Sequence, residues 1–512
     1  MTCDVDSKRA GESECSADLT VALTTLRDDL IRYSEDHAVD LSRVYPGHVR
    51  SAENLLHYVA LREHDVRELQ VRLSEAGLSS LGRAEGHVRA TIEAVLRALR
   101  ALDGEATSPP TGDWLTFAQG RQLLTANTDA LFGPPPVGRT ARIMVTLPAA
   151  AADDYGLVRE LVERGMDCAR INTAHDGPPA WNQMIDNVRR AAAETGRSCL
   201  VAMDLAGPKP RTTVADGDEP HRLHAGDELL LARDPEPTGP AQPTGPARSA
   251  SGRRVRRVGC TLPLQNVHVG HRVWFDDGKI GAVVIATESD ALRLRVTDVA
   301  PKGRRLRAGK GINLPDSTLP IPALTDKDVA DLGFVAANAD IVSLSFVRRP
   351  HDVEDLQSRL AALGRDDLGI IIKIETLQGF EHLPQILLTA LRDRRVGVMI
   401  ARGDLAIECG YRRLAELQEE ILWLCEAAHV PVIWATQVLD QLARTGQPTR
   451  AEITDAAMSE RAECVMLNKG PYVADAVALL ADLLGRMGAH QHKKSSLMRR
   501  LRSWQAEPKV PL

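Results

Sequence analysis

Lys373, Glu375 and Asp404 are the residues whose types and spacing invite chemistry. The first two lie in Ile370-Ile371-Ile372-Lys373-Ile374-Glu375, and Asp404 follows the apolar run Val396 to Ala401 within Ala401-Arg402-Gly403-Asp404. Side chains alternate faces along a strand, so Lys373 and Glu375 must point the same way. A strand ending just before Asp404 would deliver it at the catalytic end of an α/β barrel. Two carboxylates beside a lysine can hold a divalent metal and leave one positive charge for an anionic substrate. The plainer readings are an interior salt bridge between Lys373 and Glu375 and a helix N-cap for Asp404.

The elements that must position these groups are legible as short β-branched runs alternating with helical spacing after Arg139. Candidate strands are Ile143 to Leu147, Ala169 to Asn172, Cys199 to Leu205, Ile341 to Phe346, Gly369 to Ile374, Val396 to Ala401, Val432 to Ala435 and Cys464 to Leu467. Helical patterns at Tyr155 to Arg164, Trp181 to Ala193, Val353 to Leu363, Leu414 to Ala428 and Val473 to Met487 separate several of them, as repeated βα units demand. Thr449 and Glu452 have capping-box spacing after Pro448. The expected fold is α/β, a (β/α)8 TIM barrel, carrying an inserted small all-β domain and preceded by an α-helical module.

The expected boundaries are a helical N-terminal module with linker over 1–138, the first part of the barrel over 139–212, the insert over 213–309, the second part of the barrel over 310–490, and a basic tail over 491–512. The insert is read from alternating strands around the Asp276-Asp277-Gly278 turn. Within it, 234–251 is rich in proline, glycine and serine and is expected to be a disordered loop. In the N-terminal module, Gly47-His48-Val49-Arg50 and Gly86-His87-Val88-Arg89 echo each other, too briefly to establish a repeat. His48 and His87 are read as polar helix positions in preference to ligands.

Composition narrows the function classes. With 512 residues, 44% hydrophobic and a net charge of -6, the chain has apolar surface enough for more than one core. No run approaches the roughly twenty apolar residues of a membrane helix, and the acidic N-terminus lacks a leader pattern, so a cytoplasmic protein is expected, with no membrane partner. The charge balance gives no support to nucleic-acid binding. Eight cysteines without a Cys-x-x-Cys pair argue against a disulfide framework or a zinc site.

From Arg142 to about Met487 the chain resembles pyruvate kinase. The segments that carry the likeness occur in the family's order: Gly165-Met166-Asp167-Cys168-Ala169-Arg170-Ile171-Asn172, Met203-Asp204 with Gly207-Pro208 and Arg211-Thr212, Asp276-Asp277-Gly278, and Lys310-Gly311-Ile312-Asn313-Leu314-Pro315. Lys373-Ile374-Glu375, Ala401-Arg402-Gly403-Asp404-Leu405, Ala435-Thr436-Gln437 and Pro448-Thr449-Arg450-Ala451-Glu452 follow.

The resemblance implies phosphoryl transfer between phosphoenolpyruvate and ADP, giving pyruvate and ATP. It implies Mg2+, with Mn2+ as an alternative, on Glu375 and Asp404. Lys373 would neutralise the enolate, Arg170 would fork onto the phosphoryl oxygens, and Gly403, Asp404 and the Thr436 hydroxyl would meet the substrate carboxylate. Thr436 or water would pass the proton. Pro148, Asn172, His175, Arg211 and Lys310 stand where the family contacts ATP. Each of these also has a plain structural reading, as a strand cap, a loop residue or a solvated surface charge.

Departures from the family pattern shape further expectations. Leu205 and Lys209 stand where many pyruvate kinases have threonine and glutamate, and Ala174 replaces a serine that helps ligate potassium. A lysine ammonium held by Asn172 and Asp204 would then take the place of the monovalent cation, and no potassium requirement is expected. Asn468-Lys469-Gly470-Pro471 replaces a characteristic loop, Ala406 replaces a glycine, and Thr146-Leu147-Pro148 lacks the usual glycine. Only Val473 to Leu512 follow the eighth strand, so the family's C-terminal regulatory domain is expected to be missing. A homo-oligomer remains an open expectation. The rival functions are a lyase or kinase acting on another enol phosphate or acceptor, and a non-catalytic binding homologue.

Overall fold

The computed structural model describes residues 3–106, 112–213, 222–232, 255–493 and 495–496. The proline-rich stretch 234–251 and nearly all of the basic tail lie outside the described residues. Eight parallel strands close a barrel: β1 (Arg142–Thr146), β2 (Cys168–Asn172), β3 (Leu200–Asp204), β4 (Ile341–Leu344), β5 (Gly369–Ile374), β6 (Val396–Ala401), β7 (Val432–Val438) and β8 (Cys464–Leu467). Each strand neighbours the next in sequence, and β8 pairs with β1 from Arg142 opposite Cys464 to Val145 opposite Leu467. Strands β5 and β6 are buried at every residue, which is why they read as apolar runs, interrupted only by Lys373 in β5, instead of alternating ones.

By compactness the chain divides into two units, one of residues 1–170, 179–201 and 422–512, the other of 171–178 and 202–421. The second unit contains the insert. Its seven-stranded sheet runs in the order Ile312–Asn313, Arg272–Phe275, Ile280–Thr287, Ala291–Val299, Glu228–Ala232, Arg256–Cys260, Thr212–Thr213. The hairpin turn has Asp276, Asp277 and Gly278 at φ of 50°, 54° and 79°, the left-handed region that aspartate and glycine tolerate best. Phe275, Ile280, Leu292 and Leu294, all fully buried, anchor its core. The two edge strands of this sheet are joined by a bridge between Arg211 and Gly311, with Ile312 N–H donating to the Pro210 carbonyl at 2.8 Å.

In the first unit the N-terminal module is helical, with helices at Cys3–Asp36, Val49–Glu63, Arg67–Glu75, Val88–Leu102 and Phe117–Phe132. The two Gly-His-Val-Arg phrases adopt one local structure: each leaves a 3-10 turn (Pro46–His48, Glu85–His87) and enters a 15-residue helix. His48 and His87, read as polar helix positions, stand at helix entries, His48 buried and His87 half-buried.

The module packs on the turn that feeds β7. Asn54 donates to the carbonyls of Glu85 (2.7 Å) and Ala427 (2.8 Å) and accepts from Val88 N–H (2.9 Å). His429 meets Ser51 Oγ through Nδ1 (3.0 Å) and the Gly86 carbonyl through Nε2 (2.9 Å), while Asn127 donates to the His429 carbonyl (2.8 Å). Helix Phe117–Phe132 crosses this turn at Gly120, where a Cβ would lie 2.2 Å from the Gly86 carbonyl, so only glycine fits.

Among the described residues no helix is long and apolar enough to cross a membrane. Cys168, Cys199, Cys260, Cys409, Cys425 and Cys464 are free thiols.

Candidate active site

The second unit gathers charged side chains at the C-terminal ends of β3 to β6. Lys373, 7% exposed, projects from β5 on the same side as Glu375, 4% exposed. Its Nζ donates to Ser345 Oγ at 2.8 Å and lies 3.3 Å from both Asp204 Oδ2 and Glu375 Oε1. Ser345 in turn donates to the Leu205 carbonyl at 2.7 Å. One ammonium thus has three oxygen neighbours from three strand ends, which fixes its aim.

Glu375 is oriented from its other oxygen. Oε2 accepts the Phe346 N–H at 2.7 Å, a bond that depends on Phe346 adopting φ 55° just past β4. A non-glycine residue at positive φ is strained, and such strain persists where the surroundings enforce it. Burial pushes the Glu375 carboxyl up; the Lys373 charge opposes the shift and the Asp404 charge adds to it.

Asp404 sits in the first turn of the helix Arg402–Cys409, one residue after Gly403. It is not the N-cap, which is Ala401. Its Oδ1 accepts from Lys209 Nζ at 2.6 Å and from Asn313 Nδ2 at 3.1 Å. Asn313 Nδ2 also reaches Glu408 Oε1 at 3.2 Å. Burial, with Asp404 nearby, pushes Glu408 up to about 7 although the Asn313 bond opposes it.

Lys209 departs from its expected setting. Its ammonium bonds Asp404 and lies 3.5 Å from Asp277, while Asp204 is paired with Lys373. The path is set by Pro208 and Pro210 on either side and by Gly311, where a Cβ would come within 2.5 Å of Lys209 Cε. Burial alone would weaken this ammonium, but Asp404 outweighs it and holds the proton more tightly than in an ordinary lysine.

The other expected residues are placed as follows. Asn172 Oδ1 accepts from Ala174 N–H at 3.0 Å, and its carbonyl accepts from His175 N–H at 3.1 Å. Lys310 pairs with Asp276 at 2.9 Å, and Arg211 donates to the Gly309 carbonyl at 3.2 Å. In the first unit, Arg170 is 9% exposed and donates through Nη1 to Thr146 Oγ1 at 2.9 Å. Pro148 opens the turn Ala149–Ala152. Thr436 and Gln437 take φ of 67° and 59°, where the register of β7 with β8 breaks between Trp434 and Val438. A strand expected to stop at Ala435 therefore continues through a bent, strained end.

Ser345, Phe346, Asn313 and Glu408 escaped the sequence reading. Glu408 was within reach of it, being one helical turn beyond Asp404. Among the described residues no group of three or more His, Cys, Asp or Glu is arranged to hold an ion. The Glu375 and Asp404 pair nonetheless suits a hard divalent cation that keeps water and substrate oxygens as its other ligands. Asp204, Glu375, Asp404 and Glu408 against Lys209 and Lys373 leave excess acid, and burial first, with the Asp404 charge adding to it, pushes Glu375 and Glu408 up.

Comparisons with known proteins bear on the family and the fold. Residues 138–477 match the family described as "Pyruvate kinase, barrel domain". A pyruvate kinase of Hypocrea jecorina is 32% identical over 367 residues, which cover 70% of this chain and 64% of that protein. One of Bacillus licheniformis is 32% identical over 367 residues, covering 70% of this chain and 58% of the relative. The chain therefore spans about three fifths of the length of these relatives. A solved structure of a pyruvate kinase from Cryptosporidium parvum superposes with a TM-score of 0.59 at 26% identity, covering 70% of this chain and 72% of that one.

Proposed function

We propose, from the premise that this chain belongs to the pyruvate kinase family, that it moves a phosphoryl group from phosphoenolpyruvate to ADP, giving pyruvate and ATP. The observation that carries this reading is the Lys373 cluster. An ammonium fixed by Ser345, Asp204 and Glu375 stands on the same side of its strand as a buried carboxylate whose other oxygen is held by the Phe346 N–H. Phosphoryl transfer asks a protein mainly for positioning and charge neutralisation, and these groups offer both.

In this reading Glu375 and Asp404 would hold Mg2+, or Mn2+ in its place, which when bound supplies positive charge to the substrate's phosphoryl and carboxylate oxygens. Lys373 Nζ neutralises the enolate oxygen as the P–O bond to it breaks and the ADP oxygen takes the phosphorus. The enolate carbon then takes a proton by way of the Thr436 hydroxyl or water. Arg170, its guanidinium steadied by Thr146, receives the phosphoryl oxygens. The N–H groups of Gly403 and Asp404 serve the substrate carboxylate. Pro148, Asn172, His175, Arg211 and Lys310 form the nucleotide's surroundings.

Lys209 supplies from within the chain the positive charge that a monovalent cation would bring, so no potassium is needed. Its bond to Asp404 sets that charge beside the metal carboxylate, a different seat from the Asn172 and Asp204 pair expected from sequence.

The test is coupled pyruvate release with Mg2+, phosphoenolpyruvate and a panel of ADP, GDP and UDP. Turnover is expected with ADP, at rates within about twofold in potassium and tetramethylammonium buffers. No pyruvate with any nucleotide would overturn the reaction assigned here, and strict dependence on potassium would overturn the role of Lys209.

A further inference from the structure

Beneath the two crossovers that join the insert to the barrel lies a cavity of about 310 Å³. One wall, made by Lys209, Asn313 and Glu408, is shared with the acidic cluster. The other end holds Arg348, a residue the proposed reaction does not use. Arg348 is 8% exposed, and its Nη1 and Nη2 donate to the carbonyls of Leu319 (at 2.9 Å) and Ile321. Its Nε is buried without a hydrogen-bond partner, and among the described residues no carboxylate pairs with the guanidinium.

Burying a guanidinium without a counter-charge is costly, and removing one N–H from water with no acceptor adds to that cost. Burial accordingly pulls the Arg348 pKa down, with only Asp352 in opposition, and Asp352 already accepts the backbone N–H groups of Arg348 and Arg349. The acids of the cavity wall are engaged or turned to solvent: Asp316 is bonded to Arg272 at 2.6 Å, Glu408 to Asn313 at 3.2 Å, and Glu381 is exposed. Leu319, Ile321, Phe346 and Leu377 give the cavity an apolar floor.

We propose that this cavity binds a small organic anion, its head group on the Arg348 guanidinium and its aliphatic body on that floor. Such a ligand would tie the return crossover, Leu314 to Ile321, to the chain just past β4. It would thereby stiffen the joint on which the insert hangs.

The test uses the full chain labelled with [15Nε]arginine, with the Arg348 Nε–H signal assigned by its disappearance in Arg348→Lys. Butyrate, inorganic phosphate and butyramide are the probes. Butyrate should move the Arg348 signal saturably, and butyramide, its uncharged counterpart, should bind about tenfold more weakly. A phosphate response as strong as butyrate's would assign the preference to phosphorylated ligands, and a butyrate response alone to carboxylates; either supports an anion site. Gln378→Trp, which fills the cavity from a half-buried wall position while leaving Arg348 in place, should abolish the shift. No saturable shift with either anion, an equal response to butyramide, or a shift that survives Gln378→Trp would overturn the proposal.

Discussion

The acidic cluster above β5 and the junction around His429 both bury polar groups, yet they are finished differently. At the junction the Asn54 amide and the His429 ring each meet counterparts of the right kind. Asn54 uses both amide hydrogens and its oxygen, and His429 uses both ring nitrogens. Burial holds the His429 imidazole neutral, with its pKa lowered to about 4. In the cluster, hydrogen bonds are equally numerous but acids outnumber cations, and burial, with Asp404 adding to it, pushes Glu375 and Glu408 up. A satisfied buried network fixes a structure; one left short of positive charge is prepared for something that arrives later.

Substitutions at the cluster should break this contrast most sharply. Lys373→Met should lower pyruvate release by about a thousandfold, the loss of one transition-state charge partner, while Mn2+ binding followed by electron paramagnetic resonance stays within a few fold. Glu375→Gln should lose both. Normal turnover in either variant would mean that the imbalance serves no chemistry.

At the junction the expected effects are on stability and not on chemistry. Asn54→Leu leaves two carbonyls and one N–H buried without partners and should cost about 3 kcal/mol in urea unfolding, with unchanged turnover in the folded fraction. A change below about 0.5 kcal/mol would show the network to be dispensable.

The smallest effect is a pH dependence. His429 is buried neutral, so its folded pKa of about 4 lies below the unfolded value of about 6.5. The unfolded chain binds the extra proton, and stability present above pH 6.5 is lost as pH falls toward 4, on the order of 2 kcal/mol by pH 5. His57, also lowered to about 4 by burial and by Arg89, contributes with the same sign. Comparing urea midpoints at pH 7 and pH 5 for the parent chain and His429→Gln isolates the term. Equal losses in both would remove His429 as its source.

The barrel was legible because parallel strands covered on both faces appear in sequence as short, largely apolar runs, and each of the eight strands overlaps one. Helix Arg450–Met458 was legible from its cap, with Thr449 and Glu452 bonded reciprocally as their spacing implied. The insert's hairpin was legible from a turn that demands positive φ.

What stayed hidden was set by backbone path. Phe346 has no signature in an apolar run, and its bond to Glu375 follows from a dihedral angle that no residue type announces. The seat of Lys209 depends on how a Pro-Lys-Pro segment passes Gly311, a contact between positions 102 apart in the chain. The shared role of the two Gly-His-Val-Arg phrases likewise became visible only when both proved to be helix entries.

The bridge between Arg211 and Gly311 carries a consequence of its own. The insert leaves and returns through a pair of adjacent, mutually bonded strands, so the barrel experiences a hundred-residue excursion as though it were a tight hairpin. Its closure is secured locally at the stem, and the length beyond that stem places little demand on the register of β3 with β4. Excising everything past the stem and rejoining it with a short glycine turn should leave a barrel that still closes.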